Sequence, residues 1–288
     1  MPLVRDILNF RDVGKTINDY THSNLVHTGK LFRSARPDDA IRDDRNPLLK
    51  DFGIKTIIDL RTTTEHIQQT QKNNVALSSS EGVPRINDEV AQPLKVDNIT
   101  HHEINLNGSA FSRSLMSELS WWNTARLVGL MAMGYRIEAI GILGSNVMKQ
   151  EGLVGLGIRS IDMCTKEVYE IFKILSNAES YPILVHCTQG KDRTGLVVQL
   201  VLMLLGVAVD AINHDYMLSQ EELQSKREER LKEIYSIGLT DEFADCDPHL
   251  VEEVARHINQ KYGSIEKYLE VCGLTKEMEG SIKGFLKA

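Results

Sequence analysis

The sequence predicts an α/β fold of three layers, with a central, mostly parallel sheet between helices and one helical insertion. Three observations predict it. The apolar run from Tyr181 to Val185 leads into a short loop containing Gly190 and Gly195 and then into a long apolar segment from Leu196 to Val209, which reads as strand, tight loop and buried helix. The run from Ile54 to Arg61 is rich in β-branched residues and closes on Asp59 and Arg61, as a buried strand does when charged groups stand at its carboxyl end. Amphipathic stretches at helical spacing, such as Ile161 to Leu175, alternate with these strands. With 288 residues and 42% apolar content the chain is long for one domain and short for two, which suits a single domain over 1–288.

Taken in order, Asn9 to Gly14 opens the domain, Asn18 to Asn24 is a polar loop, and Gly29 to Ser34 is a strand carrying Arg33, with Arg36 just beyond it. A helix near Asp39 to Asp51, stopped by Gly53, leads to the strand at Ile54 to Arg61. Residues 62–96 are polar and aperiodic, a long surface connection, and Thr100 to Leu106 is a short strand in which His101 and His102 are exposed rather than ligands. Residues 108–160 form the insertion, two or three helices with glycine bends. The Ile161 to Leu175 helix then leads to the strand before the glycine loop. Beyond it, Gly206 stops the core helix and Asp210 caps the next. Glu221 to Tyr235 is an exposed charged helix, and helices at 248–263, 264–271 and 275–286 complete the chain.

A net charge of −7 opposes a general nucleic-acid surface, while a local basic pocket in an acidic chain still focuses an anion. The four cysteines show no metal spacing, so neither metal nor cofactor is expected; Cys164, Cys246 and Cys272 read as structural. No segment reaches the roughly 18 uninterrupted apolar residues of a membrane span, and the N-terminus has no long apolar signal core.

The chemistry gathers in His186-Cys187-Thr188-Gln189-Gly190-Lys191-Asp192-Arg193-Thr194-Gly195. A glycine-containing loop at a helix mouth turns several backbone N–H groups inward and makes an anion-binding nest, reinforced by the helix N-terminus. Such a field also favours a thiolate, which makes Cys187 a candidate nucleophile. Arg193 can return over the loop and grip two oxygens of a bound phosphoryl group, and Thr194 can donate its hydroxyl to the sulfur.

This loop resembles the signature of the cysteine-dependent tyrosine and dual-specificity phosphatases: His-Cys, five residues, then Arg and a hydroxyl residue. Gly190 to Gly195 is similar to the loop of a bacterial and fungal branch of triple-specificity and phosphoinositide-active enzymes. The Asn9-Phe10-Arg11-Asp12-Val13-Gly14 element, the strand from Gly29 to Ser34, and Asp59-Leu60-Arg61 followed by Glu65 resemble that branch as well. The resemblance implies a protein-tyrosine-phosphatase-like domain, phosphomonoester hydrolysis through a cysteinyl-phosphate without cofactor, and a phosphorylated protein or phosphoinositide as substrate. It also implies a lid from residues 108–160, for which Trp121, Trp122, Met131 and Met133 offer an apolar underside; plain core packing is the other reading. A working thiol places the chain in a reducing compartment, the cytoplasm.

Cys187 and Arg193 are therefore expected to be catalytic, with Asp192 or Asp59 as the acid and Asp97 a distant third. His186, Thr188, Gln189, Gly190, Lys191, Thr194 and Gly195 are expected to form the substrate site, with Arg33 lining or bracing it and Arg61 beside it. Asp59 and Arg61 fit a structural ion pair equally well. Lys191 reads either as a mobile charge for a second phosphate or as half of a rim salt bridge. Two rival functions remain, a non-catalytic phosphate-binding module and a sulfur carrier of the rhodanese type, the latter opposed by the Arg193-Thr194-Gly195 ending.

Overall fold

The structure, a computed structural model, describes residues 7–37, 51–69 and 98–288. The helix expected near Asp39 to Asp51 falls almost wholly outside the described residues. So do Asp97 and most of the polar connection.

Among the described residues, five strands form one sheet in the order β1-β2-β5-β3-β4: β1 (Arg11–Asp12), β2 (Leu31–Ser34), β3 (Thr56–Asp59), β4 (Thr100–Glu103) and β5 (Ile183–His186). All neighbours are parallel except β1 against β2. The short antiparallel β1 is an addition to the expected strands, since two residues carry no readable alternation. β5 is central, and its register places His186 between Ser34 and Asp59, so three strands end side by side at one edge of the sheet. Ligands bind at that edge in open α/β sheets.

Side chains alternate across the sheet with the strand period of two. Leu31, Ile58, Ile183 and Val185 face the large core, while Phe32, Ile57 and Leu184 face a smaller cluster with Ile7, Ile54 and Ile99. The helix Asp192–Leu205 runs through the large core, and it is buried on nearly every side because its apolar residues run all round it. Its one buried amide, Gln199, donates to the Val251 carbonyl at 2.8 Å, which satisfies the group and ties this helix to Leu250–Tyr262. The described faces of the sheet are covered, giving the three-layer α/β architecture.

Several stretches depart from expectation. The polar loop expected at Asn18 to Asn24 begins inside the helix Val13–Thr21, where Asp12 caps the start by accepting from the Lys15 N–H at 3.2 Å. Asp210 stands in the first turn of the helix Val209–Glu222 and does not cap it, and the charged helix expected at Glu221 to Tyr235 is split between the end of that helix, the 3₁₀ turn Gln224–Lys226 and the helix Arg227–Ser236. Residues 63–69 are helical rather than loop, because Thr62 and Glu65 form a reciprocal cap: the Thr62 N–H donates to Glu65 Oε2 at 2.8 Å and the Glu65 N–H to Thr62 Oγ1 at 3.3 Å. The insertion holds four helices rather than two or three: Ser109–Met116, Trp121–Ala132, Arg136–Leu143 and Lys149–Met163. The last runs past residue 160 and meets the helix Thr165–Leu175 at Cys164. No helix among the described residues is long and apolar enough to cross a membrane.

Candidate active site

β5 delivers His186 to the sheet edge, Cys187 follows it, and the chain turns through Gly190 into the helix beginning at Asp192. Gly190 sits at φ +65°, and a Cβ there would lie 2.1 Å from the Ser34 carbonyl oxygen, so both the turn and the close approach of β2 require glycine.

Three donors hold the loop from behind. The Arg36 N–H donates to the Thr188 carbonyl at 3.2 Å, and Asn9 Nδ2 donates to the carbonyls of Gln189 and Gly190 at 3.1 and 3.0 Å. Arg33 Nη2 donates to the Gly190 and Lys191 carbonyls at 2.8 and 3.3 Å. Because a trans peptide sets its C=O and N–H on opposite sides, tying these carbonyls back turns the N–H groups of the following residues the other way, toward the cavity. An anion-binding nest needs N–H groups turned that way.

Behind Arg33 lies a buried charge cluster. Asp215 pairs with Arg33 and, at 2.8 Å, with Arg11 Nε, and all but Arg11 are essentially inaccessible. Burial works against the Asp215 carboxylate, but the two guanidinium groups outweigh it and hold its pKa below the ordinary range. Arg33 therefore braces the loop and does not line the cavity.

On the opposite side Glu65 grips Arg193 with both oxygens, at 2.7 Å to Nη1 and 2.5 Å to Nη2, and accepts from the Thr188 hydroxyl as well. Arg193 Nη1 also donates to the Leu60 carbonyl at 3.1 Å. Burial raises the Glu65 pKa, Arg193 lowers it more, and the net value is about 2. The same pair holds Arg193 more firmly protonated than usual despite its burial. The guanidinium plane is thus set before any ligand arrives.

Asp59 and Arg61 make the ion pair. Arg61 donates to the Asp59 carboxylate from its backbone N–H and Nε at 3.0 Å and from Nη2 at 2.8 Å, both residues are buried, and neither lines the cavity. His66 Nε2 and His186 Nε2 stand 3.6 and 3.8 Å from the same carboxylate. Although burial opposes it, the neighbouring His186 and Arg61 hold Asp59 well below the usual carboxylate range, which does not suit an acid. His186 Nδ1 lies 3.3 Å from the Cys187 carbonyl, so this cluster fixes the strand end beneath the cysteine.

Lys191 is not a mobile charge; it is the buried half of an ion pair with the partly exposed Asp192. Its side chain is fully buried, and Nζ donates to the Phe243 carbonyl at 2.9 Å and to that of Asp245, with Asp192 Oδ1 3.6 Å away. It pins the 3₁₀ turn Asp241–Ala244 to the loop. Thr194 is buried too, and its hydroxyl has no hydrogen-bond partner among the described residues, so the expected donation to sulfur is not made. Gly195 lets the Tyr216 ring approach, since a Cβ there would lie 3.1 Å from it.

A cavity of about 280 Å³ opens over the loop, with Cys187, Thr188, Gln189, Asp192 and Arg193 as its polar floor. Asp192 is partly exposed and accepts from Tyr216 Oη at 3.3 Å. The walls are mostly apolar, with Thr64, Gln68, Asn107 and Ser160 among the polar residues that line them. Met148, Leu153 and Leu156 come from the insertion, and Ile234, Leu239 and Phe243 from the stretch after the charged helix. Trp121, Trp122, Met131 and Met133, expected as a lid's underside, are exposed and do not line it. On the rim, Arg36 and Glu233 pair at 3.2 Å.

Several of these residues are not among the expected site residues. Asn9 and Arg11 stood in the opening motif without a role, and the Thr62-x-x-Glu65 cap was a readable signal. Asp215, Glu233 and Arg230, whose Nη2 donates to Gln189 Oε1 at 2.9 Å, have no sequence signal, because nothing local marks a charged helix residue as the partner of a distant strand or loop.

Comparison with known proteins agrees with this geometry. A model of the tyrosine phosphatase family matches residues 3–286. The chain is 26% identical over 302 residues to the triple specificity protein phosphatase PtpB of Mycobacterium tuberculosis, covering 96% of each chain. It is 27% identical over 127 residues to a tyrosine-protein phosphatase of Nostoc commune, covering 38% of this chain and 40% of that one.

Proposed function

The chain belongs to the tyrosine phosphatase family, and from that premise we propose that it hydrolyses phosphomonoesters on proteins, phosphotyrosine first, through a cysteinyl-phosphate on Cys187. The carrying observation is that Cys187, Arg193 and Asp192 share one cavity floor, with Arg193 already oriented by Glu65.

The phosphate monoester enters the nest, where inward N–H groups and Arg193 bind its non-bridging oxygens. The Cys187 sulfur attacks phosphorus as the ester P–O bond breaks, and Asp192 gives its proton to the departing oxygen. Water, deprotonated by the same carboxylate, then attacks phosphorus, breaks the S–P bond and releases inorganic phosphate with the thiolate restored. The apolar walls at Leu156, Ile234 and Phe243 suit an aromatic ring above the phosphate, which supports phosphotyrosine over a small aliphatic ester.

Residues 108–160, which supply one wall, are read as a lid over this site within a single domain. All four cysteines are free, and a nucleophile that must stay reduced fits the cytoplasm. A phosphoinositide selector at Lys191 draws no support, because its ammonium is held by two carbonyls. A binding module without turnover is disfavoured by a nucleophile and a carboxyl group standing in the same cavity.

The test is Cys187→Ser. Turnover of a phosphotyrosine peptide falls by several orders of magnitude, while phosphate binding, which uses the nest and Arg193, persists. Near-normal turnover refutes the mechanism.

A further inference from the structure

The helix Trp121–Ala132 is anomalous for a helix in water. It is mostly apolar, yet Leu127 is the only one of its twelve residues that is buried. Leu127 and Leu130 pack with Ala139 and Ile142 of the helix Arg136–Leu143, making a helical hairpin. The other side is open: Trp121 is 79% exposed, Trp122 58%, Val128 56%, Met133 66% and Tyr135 53%. An apolar helix face is normally buried, and a contiguous exposed patch of this kind marks an interaction surface.

Charge says what covers it. From Leu119 to Ile137 there is no Asp or Glu, but there are two arginines, Arg126 and Arg136. The second helix adds one acid, Glu138, so the hairpin Trp121–Leu143 carries +1 and, with a net charge of −7 for the chain, everything outside it carries −8. An anionic surface attracts the hairpin and repels the rest of the molecule, which selects one orientation. The residue types point the same way. Tryptophan and tyrosine, with an apolar body and a polar tip, prefer the headgroup level of a bilayer, and valine and methionine fit the acyl boundary beneath it.

We infer that the Trp121 to Tyr135 hairpin docks the protein on an anionic lipid bilayer, with the two tryptophans seated at the interface. This goes beyond the proposed hydrolysis and requires no turnover. It does touch the site, because Ile140, on the second helix of the hairpin, lines the cavity. Docking therefore places the cavity wall against the membrane side of the molecule.

The chain contains only two tryptophans, both in this patch, so its intrinsic tryptophan emission reports on the patch alone. The full chain is titrated with vesicles of phosphatidylcholine alone and of phosphatidylcholine with phosphatidylserine, reading emission and co-sedimentation. Emission moves to the blue and protein sediments with the anionic vesicles, less with the neutral ones, and less again as salt rises. Replacing both residues, Trp121→Ser with Trp122→Ser, lowers partitioning by about tenfold or more, while hydrolysis of a small aryl phosphate in solution is unchanged. Cys187→Ser protein binds like the parent, so failure of the catalytic reading leaves the docking result intact. Unmoved emission with both vesicle types overturns the inference, as does a double variant that sediments like the parent. Blue-shifted emission that rises with protein concentration in the absence of lipid also overturns it, and assigns the face to a second copy of the chain.

Discussion

Replacing Glu65 by glutamine tests whether Arg193 is oriented by its neighbour or only by its ligand. The substitution keeps the shape and one oxygen acceptor but removes the charge and one of the two oxygens that grip the guanidinium. The Glu65 pKa of about 2, against an ordinary 4.5, corresponds to about 3 kcal/mol of stabilisation of the carboxylate at 1.36 kcal/mol per tenfold. Both side chains are mostly buried, so little is deducted for screening, and Glu65→Gln should lose about 2–3 kcal/mol in denaturant unfolding at pH 7. The sign follows from a depressed carboxylate: the contribution is complete above the unfolded value and disappears as pH falls from about 5 towards 2, so parent and variant converge in acid. Catalytically, an Arg193 free to turn loses its preset fork, and kcat/KM for a phosphotyrosine peptide should fall about a hundredfold, with kcat carrying most of it. A variant within threefold of the parent in kcat/KM, or a stability difference that persists undiminished at pH 2.5, would refute the reasoning.

Asp192→Asn should reduce turnover of alkyl phosphates far more than that of activated aryl phosphates, which leave without a proton; equal losses on both would reduce Asp192 to a loop support. Lys191→Met strands the Phe243 and Asp245 carbonyls, so it should cost about 1–3 kcal/mol in unfolding and lower kcat/KM by one common factor for mono- and bisphosphorylated substrates, whereas a selective loss on the latter would restore it as a selector. Gly190→Ala puts a methyl group against the Ser34 carbonyl at positive φ, and its loss of vanadate binding should exceed its loss of secondary structure by circular dichroism; undiminished binding would show that the loop does not need its present turn.

Expectation and structure part at particular residues. The loop was legible because its residues are contiguous: a strand, a glycine turn and a helix mouth occupy one stretch of chain, and the chemistry depends on that stretch. Asp59 was ambiguous because spacing alone does not say whether Arg61, two residues on, folds back onto it or faces a ligand. Lys191 was misread because burial of an ammonium depends on two carbonyls more than fifty residues away. Trp121 and Trp122 were assigned inward because large apolar side chains usually are, yet the hairpin turns them out.

The sequence by itself determined the parallel sheet, the core helix and the reactive loop, since hydrophobic period and local backbone chemistry act between near neighbours. The tertiary structure alone decided which charges meet. Asp215 meets Arg33 and Arg11, Glu65 meets Arg193, and Lys191 meets the turn at 241–244, each across a long span of chain. An ionic group is stable in an interior only where a partner and its remaining hydrogen bonds are brought to it, and that geometry exists only once the sheet has set its strands side by side.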